Sequence, residues 1–99
     1  MESWNMENFE AAAERNDKAA FYLYTPLCGT CQVASRMIDV VTEMLPDLPI
    51  GKADLNFHGE VAMKYAVESV PCLLIARKGE PVEKVYAFRS VPYLYEKLG

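Results

Sequence analysis

The stretch from Tyr22 to Arg36, Tyr-Leu-Tyr-Thr-Pro-Leu-Cys-Gly-Thr-Cys-Gln-Val-Ala-Ser-Arg, constrains the fold more than any other part of the chain. The apolar, aromatic-rich run Phe21–Tyr24 is typical of a buried strand, and Pro26 ends it because proline cannot donate to a β-ladder. Beyond the second cysteine, apolar residues recur three and four positions apart, which predicts a helix. The chain therefore passes directly from a strand to a helix, with Cys28 and Cys31 at the junction.

This junction gives the two cysteines a chemical use. The free N–H groups and the positive dipole end of a helix stabilise an anion, so we expect Cys28 to ionise readily. A thiolate attacks disulfides, and Cys31, its neighbour in helical register, can resolve the mixed disulfide that forms. A Cys-x-x-Cys pair can equally be half of a zinc site, but the strand–turn–helix context favours redox chemistry.

Composition limits the size of the domain and the class of partner. The chain has 99 residues, of which 52% are hydrophobic, and this predicts one globular domain over residues 1–99. A net charge of −4 argues against nucleic acid as a partner, and no apolar run approaches the length of a membrane span. The sequence begins without a recognisable signal peptide, and its three cysteines suggest chemistry rather than a disulfide framework. We therefore expect a cytoplasmic protein.

Helices and strands alternate along the rest of the chain. Asn5 or Asn8 is a candidate N-cap for a first helix that ends near Arg15, and the strand Lys18–Tyr24 follows it. After the cysteine helix, which Pro46 stops, we predict the strand Ile50–Leu55, a turn at 56–59, a short helix through Val61 and Tyr65, the strand Val70–Ala76, a hairpin turn at 77–81, the strand Val82–Ala87 and a helix from about Pro92. This order predicts an α/β fold with a central mixed sheet of about four strands, the first strand short or absent, flanked by helices.

From Phe9 onward, this arrangement resembles the thioredoxin family. Cys28-Gly-Thr-Cys31 lies where a strand ends and a helix begins, Val70-Pro71 heads a later apolar strand, and Lys78-Gly79-Glu80 forms the hairpin turn. The resemblance implies a thioredoxin-like fold and a thiol–disulfide oxidoreductase that needs no bound cofactor beyond its redox-active disulfide. The implied partners are disulfide-containing client proteins or small thiols, together with an electron donor similar to thioredoxin reductase.

The resemblance also implies where substrates bind. The Val70–Pro71 bond should be cis and lie beside the cysteine pair, so that the Val70 backbone can pair with an extended substrate segment. The family's substrate groove corresponds here to Leu27, Gly29, Thr30, Leu55, Ser69, Val70, Pro71 and Ala87.

The chain departs from classical thioredoxins around the cysteines. Their Trp-Cys-Gly-Pro-Cys-Lys is here Leu-Cys-Gly-Thr-Cys-Gln, and their buried aspartate falls on Tyr22. Lys52 matches a buried lysine of the family, but its acidic partner is missing. These differences leave the group that exchanges the proton of Cys31 unnamed. They place the chain among thioredoxin-like proteins rather than classical thioredoxins.

Several further residues have two interpretations. We favour Cys72 as a buried strand cysteine acting as a small hydrophobic residue, the alternative being a third thiol that joins exchange or holds a metal. His58 could complete a Cys₃His zinc site, but its position in a turn favours an exposed side chain. We predict that Trp4 packs the entrance of the first helix and that Met37, Met44 and Met63 fill the core.

Three hypotheses for the function remain open. The first is a monomeric, cytoplasmic oxidoreductase that cycles Cys28 and Cys31 between dithiol and disulfide. The second is a module of the same fold that does no redox chemistry and uses its cysteines as metal ligands or its surface for protein interaction. A glutaredoxin-like role on glutathione mixed disulfides is a weaker third hypothesis.

Overall fold

A computed structural model describes residues 1–99 and shows strands and helices in alternation. The elements are β1 (Glu2–Ser3), α1 (Met6–Arg15), β2 (Lys18–Tyr24), α2 (Gly29–Met44), β3 (Ile50–Asp54), a 3₁₀ turn (Leu55–Phe57), α3 (Gly59–Tyr65), β4 (Cys72–Arg77), β5 (Glu83–Val85) and α4 (Val91–Leu98). None of the four α-helices is long and apolar enough to cross a membrane.

The five strands form one mixed sheet in the order β1-β3-β2-β4-β5. The strands β1, β3 and β2 are parallel, whereas β4 runs antiparallel to β2 and β5 antiparallel to β4. The predicted mixed sheet is therefore confirmed, and its short first strand is present. Because β2 and β3 are parallel and joined through α2, the end of β2 and the start of α2 lie at one edge of the sheet, where α/β folds place their sites.

Each face of the sheet carries its own hydrophobic core. One core packs beneath α2 and α4 and contains Ala20, Tyr22, Ala34, Ile38, Val41, Leu73, Ile75, Val85, Phe88, Leu94 and Leu98. The other packs beneath α1 and α3 and contains Phe9, Ala19, Phe21, Leu23, Ala53, Val61, Cys72, Leu74 and Ala76. Successive residues of β2 alternate between the two cores, as the period of a strand requires.

The helix caps follow the sequence signals. Asn5 and Asn8 close a reciprocal capping box at the start of α1, so both predicted caps take part. Ser90 caps α4 through the backbone N–H of Tyr93. Gly79 has a φ of +78° in the β4–β5 turn, a conformation that glycine adopts without steric cost.

The predicted strand ends needed correction at β4 and β5. The strand β4 begins at Cys72 rather than Val70, and β5 spans Glu83–Val85 rather than 82–87. Residues 70 and 71 stay outside the ladder because proline has no N–H to donate.

Trp4 packs as predicted, and the reason is visible at Gly51. A Cβ atom on Gly51 would lie 2.0 Å from the Trp4 ring, so only glycine lets the ring rest on β3. The prediction for the methionines was partly wrong. Met37 packs on the α2–α4 core, but Met44 is half exposed and Met63 is 86% exposed.

Candidate active site

Cys28 is the N-cap residue of α2 and lies in the loop that follows β2. Its Sγ accepts a hydrogen bond from the backbone N–H of Cys31 at 3.2 Å, and Thr30 Oγ1 lies 3.2 Å away. The side chain is therefore surrounded by donors, as the dipole end of a helix allows. Both cysteines are free thiols in the structure.

The two thiols of the pair differ in acidity. Hydrogen bonds from the Cys31 side chain, and then from Thr30, lower the pKa of Cys28. Burial raises the pKa of Cys31 to about 11, and its hydrogen bond to Cys28 adds to the rise. Because the thiolate is the nucleophilic form of cysteine, the arrangement favours nucleophilic character at Cys28 over Cys31.

The Val70–Pro71 peptide lies beside Cys28. The bond is cis, as the resemblance implies, and the Val70 carbonyl oxygen is 4.0 Å from Cys28 Sγ. Val70 and Pro71 are half-buried, so their backbone borders the thiol at the protein surface.

A cleft of about 420 Å³ runs from the cysteine loop along α2. It is lined by Thr30, Val33, Ala34, Met37, Pro71, Tyr86, Phe88 and Arg89. The other residues predicted for the groove do not line this cleft: Leu27 is 100% exposed, Gly29, Ser69 and Ala87 are exposed, and Leu55 is half-buried against the α1–α3 core. Neither cysteine lines the cleft, but Thr30 does and its hydroxyl contacts Cys28 Sγ, so a largely apolar surface that an extended polypeptide could cover begins beside this thiol.

A second cleft, of about 380 Å³, reaches Cys31 from the opposite side of the loop. Its lining residues are Tyr24, Thr25, Pro26, Cys31, Gln32, Ser35 and Arg36. Cys31 itself is only 2% exposed, so this cleft borders the thiol more than it uncovers it.

Tyr22, which occupies the position of the family's aspartate, lies beneath the first turn of α2. Its hydroxyl donates to the Cys31 carbonyl oxygen at 2.8 Å and lies 2.9 Å from Ser35 Oγ. Sequence reasoning named neither Tyr22 nor Ser35 as part of the site. The available signal was a tyrosine in the middle of a buried strand, together with a serine one turn beyond the second cysteine.

Three candidate residues lie apart from the pair. Cys72 is fully buried in the α1–α3 core, and burial raises its pKa to about 11. Lys52 is half-buried rather than buried, and its Nζ lies 6.0 Å from the centre of the Tyr24 ring. His58 is half-buried rather than exposed, with Nδ1 3.4 Å from Glu60 Oε1. The structure brings no three His, Cys, Asp or Glu side chains into a metal-binding group, so these residues do not form the Cys₃His site considered above.

Comparison with known proteins supports the same interpretation. The thioredoxin family matches residues 1–98. Thioredoxin-like protein YusE of Bacillus subtilis is 52% identical over 81 residues, which cover 82% of this chain and 76% of that protein. Thioredoxin of the same bacterium is 34% identical over 74 residues, covering 74% of this chain and 71% of that protein.

A solved structure agrees at the level of the fold. Mitochondrial thioredoxin 3 from Saccharomyces cerevisiae superposes with a TM-score of 0.84 at 19% identity, covering 99% of this chain and 92% of that one. With the family match over nearly the whole chain and the paired thiols at the start of α2, the chain belongs to the thioredoxin family of thiol–disulfide oxidoreductases.

Proposed function

We propose that this protein reduces disulfides in client proteins or small thiols by cycling Cys28 and Cys31 between dithiol and disulfide. The observation that carries the proposal is the environment of Cys28 Sγ. It caps α2, accepts the Cys31 N–H at 3.2 Å and has a lowered pKa, so it is the thiol best prepared to attack.

The first step is attack by the Cys28 thiolate on one sulfur of the client disulfide. The Cys28–client disulfide forms, the client S–S bond breaks, and the second client sulfur leaves as a thiolate that takes a proton from solvent. The apolar cleft beside Pro71 and the exposed Leu27 side chain would contact the client on either side of its cysteine. Gly29, Thr30 and the Val70 backbone complete the surface proposed for substrate binding.

The second step is resolution by Cys31. Its thiol loses a proton to solvent, and the thiolate attacks Cys28 Sγ, forming Cys28–Cys31 while the client sulfur leaves with the electron pair. The client is then reduced by two electrons and the protein is oxidised by two. A dithiol or a reductase similar to thioredoxin reductase would restore the pair. No bound cofactor takes part in the exchange.

Trapping the intermediate tests this order of attack. In Cys31→Ser the second step cannot occur, so mixed disulfides should accumulate on Cys28 and be identified by mass spectrometry. In Cys28→Ser no such adducts should form. Adducts on Cys31 in Cys28→Ser, at the level found on Cys28 in Cys31→Ser, would reverse the proposed roles.

The direction of electron flow is tested by a redox titration of the pair against thiol buffers. A midpoint near −270 mV, the value typical of thioredoxin, supports a reductase, whereas a midpoint near −120 mV would indicate an oxidant. A pair that forms no reversible disulfide would overturn the redox proposal and favour an interaction module.

We also propose that the protein works as a monomer in the cytoplasm. A dithiol in regular use as a reductant suits a compartment that keeps thiols reduced. Light scattering would report the mass, with 11.2 kDa expected for the monomer. Cell fractionation would report the compartment, and recovery of the protein outside the cytoplasm would contradict this assignment.

A further inference from the structure

The hydroxyl of Tyr22 is a polar group built into the core directly behind the cysteine pair. The Tyr22 side chain is fully buried, and its ring is fixed by stacking on Tyr24 at 5.8 Å and by a tilted contact with Phe88 at 5.9 Å. A buried hydroxyl costs free energy unless it is hydrogen-bonded, so its partners identify what the group does there.

Both partners of this hydroxyl belong to the first turns of α2. Tyr22 donates to the Cys31 carbonyl oxygen at 2.8 Å, and Ser35 Oγ lies 2.9 Å away, where it can donate to the Tyr22 oxygen. The strand β2 is thereby tied to the backbone of Cys31 itself. The other cysteine receives no such support from the core, since Cys28 Sγ contacts only loop and helix-end groups.

No charged group duplicates this role. The chain buries no carboxylate, ammonium or imidazole group. Burial also raises the pKa of Tyr22 to about 12, so the phenol stays protonated at neutral pH and remains a donor. Ser35 in turn lines the cleft that borders Cys31 from outside, so the hydroxyl pair lies between that cleft and the core.

We propose that Tyr22 is a positioning residue for resolution: together with Ser35 it holds the Cys31 backbone so that the Cys31 thiol stays aligned with Cys28. This inference rests on the proposed function. Its chemical basis is that ring closure between two thiols is fast only when the attacking sulfur is already in place. In this step the proton of Cys31 leaves to solvent, and Tyr22 neither gains nor loses a proton.

A stopped-flow reaction with dithiobis(nitrobenzoate), a symmetrical aromatic disulfide, separates the two steps in one absorbance trace. Attack by Cys28 releases one equivalent of coloured nitrothiolate, and resolution by Cys31 releases the second. We expect Tyr22→Phe to leave the first phase unchanged and to slow the second about threefold, because Ser35 can then bond the Cys31 carbonyl itself. In the double variant Tyr22→Phe with Ser35→Ala, the second phase should slow about tenfold.

Tyr95→Phe is the matched control. It removes the same hydroxyl from an exposed ring on α4 that lines neither cleft beside the cysteines, and it should change neither phase. Ser35→Ala alone raises the helix propensity of α2, because alanine is a better helix former than serine. It therefore provides a variant that folds if Tyr22→Phe does not.

The outcomes separate this inference from the proposed function. A folded double variant whose second phase is within twofold of the parent would overturn the positioning role. Equal slowing of both phases would also overturn it, because that result means general loosening of the site. If the parent protein itself releases no second equivalent, the proposed function fails, whatever the variants do.

Discussion

Cys28 and Cys72 are the same side chain in two opposite environments, and the contrast explains how one fold directs its thiol chemistry. Cys28 caps a helix at the surface, where N–H and hydroxyl donors surround the sulfur and lower its pKa. Cys72 begins a central strand inside a core of aliphatic and aromatic groups, where burial raises its pKa to about 11. The difference lies in which backbone groups and how much water each sulfur meets, since the thiol chemistry is identical.

The largest expected difference is in the rate of alkylation. With iodoacetamide at pH 7, Cys28 should react at least about 100-fold faster than Cys72, since their pKa values lie on either side of the ordinary value and two pKa units separate thiolate fractions by that factor. Peptide mapping by mass spectrometry after timed quenching measures both rates. Labelling of Cys72 within tenfold of Cys28 would show that the core around β4 opens readily.

Serine substitution should lower the free energy of unfolding more at Cys72 than at Cys28, the reverse of the order expected for alkylation. Cys72→Ser places a hydroxyl in the α1–α3 core and should lower the free energy of unfolding by about 1–3 kcal/mol. Cys28→Ser, at the surface and with an oxygen that can still cap α2, should change it by no more than about 0.5 kcal/mol. Urea unfolding of both variants at pH 7 makes the comparison, and equal losses would mean that Cys72 is less well packed than described.

Ionisation of the Cys72 thiol should contribute to the pH dependence of the free energy of unfolding. Its pKa is raised in the folded state, so the folded protein binds more protons than the unfolded chain between about pH 9 and 11, and stability falls as pH rises through this window. Between pH 8 and pH 10 the Cys72 thiol should lower the free energy of unfolding by about 1.4 kcal/mol, the free energy that corresponds to one pKa unit.

The matched variant for this measurement is Cys72→Ala. It lowers stability at every pH by leaving a small cavity, but it should remove about 1.4 kcal/mol of the decline between pH 8 and 10. Urea titrations at pH 8, 9 and 10 on both proteins give the difference. A decline of the same size in Cys72→Ala would assign the effect to other groups, such as Cys31.

The smallest effect should come from Thr30. Thr30→Val keeps the shape of the side chain but removes the hydroxyl 3.2 Å from Cys28 Sγ, so the pKa of Cys28 should rise and its alkylation at pH 7 should slow about threefold. Thr42→Val is the control, since that hydroxyl bonds the Asp39 carbonyl on the same helix, far along the chain from the cysteines. An unchanged rate would leave the Cys31 groups as the source of the lowered pKa.

Much of the fold and of the site was open to prediction from local sequence. The end of β2, the cysteines at the start of α2 and the N-cap residues of α1 each depend on neighbours within a few positions, so their signals are contiguous in the chain. The cis Val70–Pro71 bond and the groove came from the resemblance to the thioredoxin family rather than from any local pattern. The Val70 carbonyl oxygen lies 4.0 Å from Cys28 Sγ although the two residues are distant in the sequence, so only the folded chain shows this contact.

The environment of each polar or reactive side chain was decided by the tertiary structure. Tyr22 pairs with Leu73, and Leu23 pairs with Cys72, so the alternation of strand side chains sends Tyr22 beneath α2 and Cys72 to the opposite core. That register is set by the pairing of β2 with β4, two strands that are far apart in the sequence. A cysteine pair at a helix start is a local property of the chain, whereas the partners of Tyr22 and the isolation of Cys72 exist only once β2, β4 and α2 have packed together.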